Sequence, residues 1–264
     1  AERERARSEL AVASRIQLSA LPTVRPPFSG CDDFGLSASM HPAKEVGGDF
    51  YDFFLIDQDH CGVVIADVSG KGVPAALFMM RVKALLNQLL REDLSPDQVL
   101  ARANDGLCED NEAGMFVTVW LGGLDLRSGK LVYANGGHNP PLYRHADGSV
   151  EWMRDRSGLL LGSFEGVPYR VFERTMIRGD SLILYTDGVT EAMDASDHCY
   201  GDERLFQLVE RECDGYPASV SGVIEEDVRA FAEGADQADD ITLLVLRYDG
   251  QENGPAASAA GNRG

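Results

Sequence analysis

The segment VVIADVSGKGVPAALFMM, residues 63–80, joins an apolar run to a second apolar run through one acid and two glycines. Its first part is β-branched and predicts a buried strand, and its last part is apolar on nearly all sides, as in a helix packed between two layers. Asp67 lies at the end of the strand, although aspartate is a poor strand former and is rarely buried unless it is paired or bound. Eighteen positions earlier, Asp49 occupies a similar place in VGGDFYD, residues 46–52. Each acid therefore requires a partner or a bound ion.

The surrounding sequence predicts an α+β fold. FGLSASM (34–40), GDFYDFFLID (48–57) and CGVVIAD (61–67) are short, β-branched or aromatic, and bounded by Gly, Pro and Asp, so we expect neighbouring antiparallel strands. Two helices follow, then strands between residues 115 and 187, two late helices and a last strand, ITLLVLRY. Because βαβ alternation is absent, this order favours two antiparallel sheets with helices on their outer faces.

Charge and cysteine content exclude several classes of function. The 264 residues include 24 basic and 43 acidic side chains, a formal charge of -19, which repels nucleic acid and anionic membrane surfaces. The five cysteines are scattered, without a CxxC pair, which favours free thiols and a cytoplasmic location over zinc or disulfides. No apolar run has the length of a membrane span. We therefore expect neither a nucleic-acid nor a membrane partner.

The ends of the chain differ from its centre. Residues 1–22 are rich in helix formers and end at Pro22, which predicts either the end of a longer connector helix from an upstream sensor domain or an ordinary N-terminal helix. A connector of this kind would also allow a homodimer through the helix. Residues 23–249 form the predicted main domain, and the Gly- and Ala-rich residues 250–264 predict a disordered tail.

Acids recur at the ends of apolar segments. Asp187 in LILYTDG follows one predicted strand, and Asp239 and Asp240 in ADDIT precede the last one, as Asp49 and Asp67 flank earlier strands. Taken alone, each motif is an ordinary turn. Converging carboxylates on rigid strand ends beside glycines are what octahedral Mg²⁺ or Mn²⁺ requires, so the set together predicts a metal centre.

The order of the motifs resembles a known family. IQLSALP, PAKEVGGDFYD, IADVSGKGVPAAL, ANGGHNPP, GLLLG, YTDGVTEA and DDIT succeed one another between Ile16 and Tyr248 as in the bacterial PPM-type (type-2C-like) serine phosphatases typified by the sporulation protein E and stress-regulator phosphatases. The resemblance implies a four-layer α-β-β-α sandwich and two Mn²⁺ or Mg²⁺ ions. It also implies hydrolysis of phosphoserine or phosphothreonine by a metal-activated water.

The resemblance also implies the ligands. By position they are Asp49, Asp67 as the bridging ligand, the carbonyl oxygen of Val68, Asp187 and Asp239. Asp240 falls where eukaryotic type-2C relatives carry Asn, which implies a residue that supports the ligands or an alternative ligand. Lys44 has the place of their phosphate-binding Arg, and we expect a weaker phosphate contact because lysine lacks the bidentate fork.

Three further positions bear on the chemistry. Gly48 replaces the Glu of the eukaryotic relatives, and Ser69 replaces their proposed general-acid His, so the general acid is unassigned. His138 in GGHNPP is expected to shape a turn rather than to act in catalysis.

The predicted function is therefore a metal-dependent protein serine/threonine phosphatase, acting on an anti-anti-sigma-factor-like phosphoprotein. Two alternatives stay open from the residues: a non-catalytic regulatory or partner-binding module on the same fold, and a small-molecule metallophosphoesterase.

Overall fold

Two five-stranded antiparallel sheets form the centre of the fold in the computed structural model, which describes residues 2–23 and 34–250. Within those residues the strands are β1 (Phe34–His41), β2 (Phe50–Leu55), β3 (His60–Val68), β4 (Val117–Asp125), β5 (Lys130–Gly136), β6 (Leu142–Arg144), β7 (Val150–Trp152), β8 (Phe172–Thr175), β9 (Ser181–Tyr185) and β10 (Ile241–Tyr248). The helices there are α1 (Glu2–Ala20), α2 (Val73–Leu89), α3 (Pro96–Cys108), α4 (Asp187–Thr190), α5 (Asp202–Glu212) and α6 (Pro217–Phe231). The predicted disordered tail lies, from residue 251 onward, outside the described residues.

The first sheet has the strand order β1-β10-β9-β6-β7, and the second has the order β2-β3-β4-β5-β8. The expectation that FGLSASM would pair beside GDFYDFFLID is wrong, because β1 pairs with β10, with Ser37 opposite Val245. The chain therefore crosses from one sheet to the other between β1 and β2. The crossing segment, residues 42–49, carries Gly47, Gly48 and Asp49 across one end of the sandwich.

Helices cover the outer face of each sheet. α2 and α3 contact strands of the second sheet, and α5 and α6 contact strands of the first. The fold is therefore the predicted α-β-β-α sandwich. None of the helices in the described part of the chain combines the length and the apolar character needed to cross a membrane.

Alternation along β10 shows how the layers are held together. Leu244 and Leu246 belong to the larger core, which includes residues of both sheets and of α2 and α3, whereas Leu243 and Val245 pack in the second core with α5 and α6. Because successive side chains of a strand point to opposite faces, one strand contributes to both cores. This explains why ITLLVLRY is apolar at nearly every position rather than at every second one.

α1 contacts the domain close to the crossing segment. Gln17 is buried, and its side-chain amide donates to the carbonyl oxygen of Gly47 at 2.5 Å and accepts from the amide nitrogen of Gly47 at 3.1 Å. Val12 and Ile16, one turn apart, are 44% and 59% exposed. α1 is thus attached to the glycine-rich segment by one residue while part of its apolar surface stays open to solvent.

Candidate metal centre

Strand registers bring the predicted acids to one end of the sandwich. β2 pairs with β3 so that Phe50 lies opposite Ala66, and continuing that register by one residue puts Asp49 opposite Asp67. In the other sheet, Leu243 lies opposite Tyr185, so that Asp187 and the acids before Ile241 meet at the end of the β9–β10 pair. Like charges directly opposite one another repel, so this arrangement requires compensation by protons or cations.

Two threonines hold Asp49. The Asp49 carboxylate is buried, and its Oδ2 accepts hydrogen bonds from the hydroxyls of Thr186 at 2.6 Å and Thr242 at 2.7 Å. Thr186 comes directly after β9 and Thr242 lies in β10, so the first sheet fixes an acid that precedes a strand of the second sheet. Both hydroxyls bond to the same oxygen, and Asp49 can therefore offer its other oxygen to a ligand.

Asp240 holds the crossing segment. Its carboxylate accepts hydrogen bonds from the amide nitrogen of Ala43 at 2.8 Å, of Gly48 at 2.6 Å and, more weakly, of Asp49 at 3.4 Å. Asp240 is buried, which strengthens charge-assisted bonds of this kind. Its observed contacts are those of a residue that positions the Asp49 segment.

Gly48 allows the two candidate ligand segments to approach. A Cβ atom at this position would lie 2.9 Å from the carbonyl oxygen of Val68 and 3.2 Å from the Cβ of Ala75. Since real side chains almost never come that close to a backbone oxygen, a larger residue would displace Val68. The absence of a side chain at residue 48 is therefore a packing requirement of this site.

The acids perturb one another's ionisation. Burial, followed by the charge of Asp187, raises the pKa of Asp67 to about 7. Burial, followed by the charges of Glu191 and Asp239, raises the pKa of Asp187 to about 6. Burial and the charge of Asp67 raise the pKa of Asp49 well above its usual range. Clustered carboxylates that resist ionisation together have the electrostatics of a site for hard divalent cations.

The carboxylates share a region but do not converge on one point. Among residues 2–23 and 34–250, no three Asp, Glu, His or Cys side chains form a ready-made set of metal ligands. One contact contributes to this, because Asp239 faces Lys71, whose Nζ lies 2.8 Å from its Oδ2. The donor chemistry fits Mg²⁺ or Mn²⁺, and binding of a cation by Asp239 would require this side chain to turn from its lysine.

Comparison with known proteins identifies the family. A profile of the family described as stage II sporulation protein E (SpoIIE) matches residues 57–249. The chain belongs to the SpoIIE family. This SpoIIE-family chain is 29% identical to the phosphoserine phosphatase RsbU of Bacillus subtilis over 241 residues, which is 91% of the chain and 70% of RsbU. It is 28% identical to the phosphoserine phosphatase RsbP of the same organism over 244 residues, which is 90% of the chain but 57% of RsbP.

Solved structures agree on the fold. The SiaA-PP2C domain of Pseudomonas aeruginosa superposes with a TM-score of 0.83 at 22% identity, covering 94% of this chain and 99% of that domain. The catalytic domain of the serine/threonine protein phosphatase PstP, solved with two manganese ions, gives a TM-score of 0.57 at 15% identity and covers 81% of this chain and 98% of that domain. The SpoIIE-family chain thus has the PP2C fold.

Two other residues singled out from the sequence of this SpoIIE-family chain are Lys44 and Ser69. Lys44 is exposed, and its Cδ would lie 3.7 Å from a Cβ atom on Gly72, at the loop after β3. Ser69 exchanges hydrogen bonds with the backbone of Phe116, as acceptor through its hydroxyl at 3.0 Å and as donor through its amide at 2.9 Å. It therefore ties β3 to β4.

His138 is buried in the interior. Its Nδ1 lies 2.8 Å from the hydroxyl of Thr118, and burial lowers its pKa to about 4. Its amide nitrogen donates to the side chain of Asn135 at 2.7 Å, and the Asn135 side chain donates to the His138 carbonyl at 3.1 Å. These bonds are those of a neutral histidine that shapes the turn.

Sequence reasoning missed four residues near the acids of this SpoIIE-family chain: Lys71, Thr186, Glu191 and Thr242. Each stands within five positions of a predicted acid, in the motifs ADVSGKG, YTDGVTE and DDIT. The sequence signal that could have identified these residues is a polar side chain close to a predicted ligand motif. The partners of Lys71, Thr186 and Thr242, however, lie far away along the chain.

Proposed function

We propose that this domain hydrolyses phosphoserine or phosphothreonine in a regulatory protein with the help of two Mn²⁺ or Mg²⁺ ions. The observation that carries the proposal is the meeting of acids from both sheets at one end of a PP2C-type sandwich, where burial and mutual repulsion raise their pKa values. Membership of the SpoIIE family and similarity to two phosphoserine phosphatases support it.

The residues that would hold the two metal ions in this proposal are Asp67, Asp49, the Val68 carbonyl, Asp187 and Asp239. When bound, two such cations activate a water molecule for attack on phosphorus and neutralise charge on the phosphoryl oxygens. The chain's own contribution is to fix the donors. Thr186 and Thr242 orient Asp49, while Asp240 supports the segment from which Asp49 projects.

Phosphate orientation is assigned to lysine in this proposal. Lys44 is exposed, and its Cδ would lie 3.7 Å from a Cβ atom on Gly72, so its ammonium group is free to contact a phosphoryl oxygen. A lysine supplies a point charge rather than a fork, so it tolerates more than one orientation of the phosphate.

The substrate is proposed to be an anti-anti-sigma-factor-like phosphoprotein, with an upstream sensor domain controlling activity in a larger regulatory protein. RsbU and RsbP, which are longer than the matched region, support this assignment through their similarity. The exposed Val12 and Ile16 support a homodimer through α1, since two such helices could bury these side chains against each other. A cytoplasmic location stays a prediction.

The test compares the wild-type chain with Asp67→Asn and Asp187→Asn on a phosphoserine protein and on a generic phosphate ester, each with Mn²⁺. Asp93→Asn is the matched control, because this acid is exposed on the α2–α3 connection. We expect the two site variants to lose at least about a hundredfold in rate, as for loss of transition-state charge stabilisation, and the control to match the wild type.

Three results would contradict the proposal. Equal rates in all four proteins would remove the metal-site assignment. No metal-dependent rate in the wild type on either substrate would favour the non-catalytic module. Hydrolysis of the ester without any hydrolysis of phosphoproteins would favour the small-molecule metallophosphoesterase.

A further inference from the structure

Lys71 reaches across the end of the sandwich. It lies in the turn between β3 and α2, flanked by Gly70 and Gly72, which have φ values of 84° and 74°. Its Nζ lies 2.8 Å from Oδ2 of Asp239 and donates to the carbonyl oxygen of Ala238 at 2.6 Å. One lysine from the second sheet therefore holds the segment that leads into β10 of the first sheet.

The ion pair between Lys71 and Asp239 can be broken at little cost in stability. The side chains of Lys71 and Asp239 are 43% and 28% exposed, and exposed pairs add little to stability because water screens them. In the part of the chain that the structure describes, Lys71 is the only basic side chain paired with any of the clustered acids. Lys71 therefore balances the local negative charge and contributes little to the stability of the fold.

We propose that Lys71 is an exchangeable counter-ion of this site. It neutralises Asp239 in the metal-free protein, is displaced when a divalent cation binds there, and then binds the phosphoryl group of the substrate. The last step rests on the proposed function, whereas the exchange at Asp239 does not.

Lys71 and a divalent cation would compete for the Asp239 carboxylate because both are positively charged and would lie close to the same oxygen. A carboxylate that ligates Mg²⁺ does so at about 2.1 Å, and an ammonium group held 2.8 Å from the same oxygen would be repelled by the ion. The flanking glycines allow the backbone of residue 71 to rotate, because glycine adopts both signs of φ at little cost. The lysine can therefore leave Asp239 without unfolding β3 or α2.

The proposed new partner of the released ammonium is the phosphoryl group of the substrate. The turn at residues 70–72 lies near the Lys44 side chain, whose Cδ would be 3.7 Å from a Cβ atom placed on Gly72. A phosphoryl group carries the negative charge that Lys71 gives up when it leaves Asp239, and charge-assisted contacts between ammonium and phosphate are among the strong ones. Lys71 would then couple loading of the cation to recognition of the phosphate.

The first measurement is the affinity for Mn²⁺ without substrate, by isothermal titration calorimetry. Lys71→Met should bind Mn²⁺ about tenfold more tightly than the wild type, because a competing positive charge is removed. Lys71→Arg keeps the charge and should stay within about threefold of the wild type. Lys130→Met is the matched control for the metal, since Lys130 forms a similarly exposed ion pair with Glu173 at the opposite end of the second sheet from Asp67, and its Mn²⁺ affinity should not change.

The second measurement is the affinity of the Mn²⁺-loaded proteins for inorganic phosphate. Lys71→Met should bind phosphate about tenfold more weakly than the wild type. Unchanged Mn²⁺ affinity in Lys71→Met, or an equal gain in Lys71→Arg, would overturn the counter-ion assignment. Unchanged phosphate affinity would overturn the phosphate assignment.

These outcomes are separable from those of the proposed function. A wild type that hydrolyses phosphoserine while Lys71→Met binds Mn²⁺ as the wild type does would overturn only the counter-ion exchange. A wild type that shows the exchange but hydrolyses no phosphoprotein would support the exchange and remove the proposed substrate.

Discussion

Replacement of Asp240 by asparagine tests whether this acid supports the Asp49 segment. The change conserves shape and removes one oxygen acceptor. In the structure, the two carboxylate oxygens of Asp240 accept from different backbone amides, those of Ala43 and Gly48, at 2.8 and 2.6 Å. An asparagine can accept only one of them and presents its own N–H groups to the other.

The magnitude follows from these two bonds. A hydrogen bond to a charged acceptor contributes about 1.5 to 3 kcal/mol, and a buried amide left without an acceptor costs about 1 to 3 kcal/mol. Part of this loss is offset, because the charge of Asp240 also raises the pKa values of Asp49 and Asp67 and its removal relieves that repulsion. We therefore expect Asp240→Asn to lower the free energy of unfolding of the metal-free protein by about 2 kcal/mol.

The assay is urea unfolding in the presence of a chelator, followed by far-ultraviolet circular dichroism. Asp239→Asn is the matched control, because the adjacent acid is half-buried and its ion pair with Lys71 is partly exposed. Its effect on unfolding should stay below about 1 kcal/mol. Mn²⁺ affinity should fall in both variants, through loss of a proposed ligand in Asp239→Asn and through loosening of the Asp49 segment in Asp240→Asn.

A loss below about 0.5 kcal/mol in Asp240→Asn would refute the reasoning, since surface substitutions commonly have effects of that size. An equal loss in both variants would also refute it. In that case the stability of this end of the sandwich would depend on its total charge and not on the two backbone bonds.

Two further predictions concern the same site. Gly48→Ala should lower the free energy of unfolding by about 1 to 3 kcal/mol and weaken Mn²⁺ binding, because the new Cβ atom presses on the Val68 carbonyl, and urea unfolding with calorimetry checks this. Gly222→Ala, whose Cβ would meet nothing within 4 Å, should instead gain about 0.5 to 1 kcal/mol, and an equal loss in both variants would contradict the steric explanation. The second prediction concerns pH. In the folded protein the pKa values of Asp67 and Asp187 are raised to about 7 and about 6. Each group therefore stabilises the folded state at a pH below its pKa in the unfolded chain, and this contribution is lost as the pH rises through its pKa in the folded protein. The Tm of the metal-free protein should therefore fall between pH 5 and 8, with a larger rise on adding Mn²⁺ at pH 8, and a flat or rising Tm by calorimetry in chelator would contradict it.

The local pattern of the sequence was sufficient for the elements and the acids. Apolar alternation, β-branched runs and Gly or Pro boundaries depend on residues within a few positions of one another, so most strands and helices could be predicted. The short helix α4 was missed, since the four residues of Asp187–Thr190 give no periodicity to detect. The acids could be named because aspartate at the edge of an apolar strand is unfavourable without a reason that lies outside the strand.

The tertiary structure alone decided which strands pair and which groups meet. β1 pairs with the last strand rather than with the next one, because pairing depends on complementary faces that are distant in sequence. The bonds from Thr186 and Thr242 to Asp49 span 137 and 193 positions, and the bond from Ala43 to Asp240 spans 197. No local pattern encodes such partners.

The sequence by itself thus determined the kinds of group at the site: carboxylates, the glycines beside them and a lysine, Lys44, near the first of them. The fold determined what each group does. The same aspartate chemistry became a threonine-anchored carboxylate at Asp49, a support for the backbone at Asp240 and the partner of a lysine at Asp239. The physical reason is that the role of a carboxylate is set by the donors within about 3 Å of its oxygens, and chain folding alone brings those donors there.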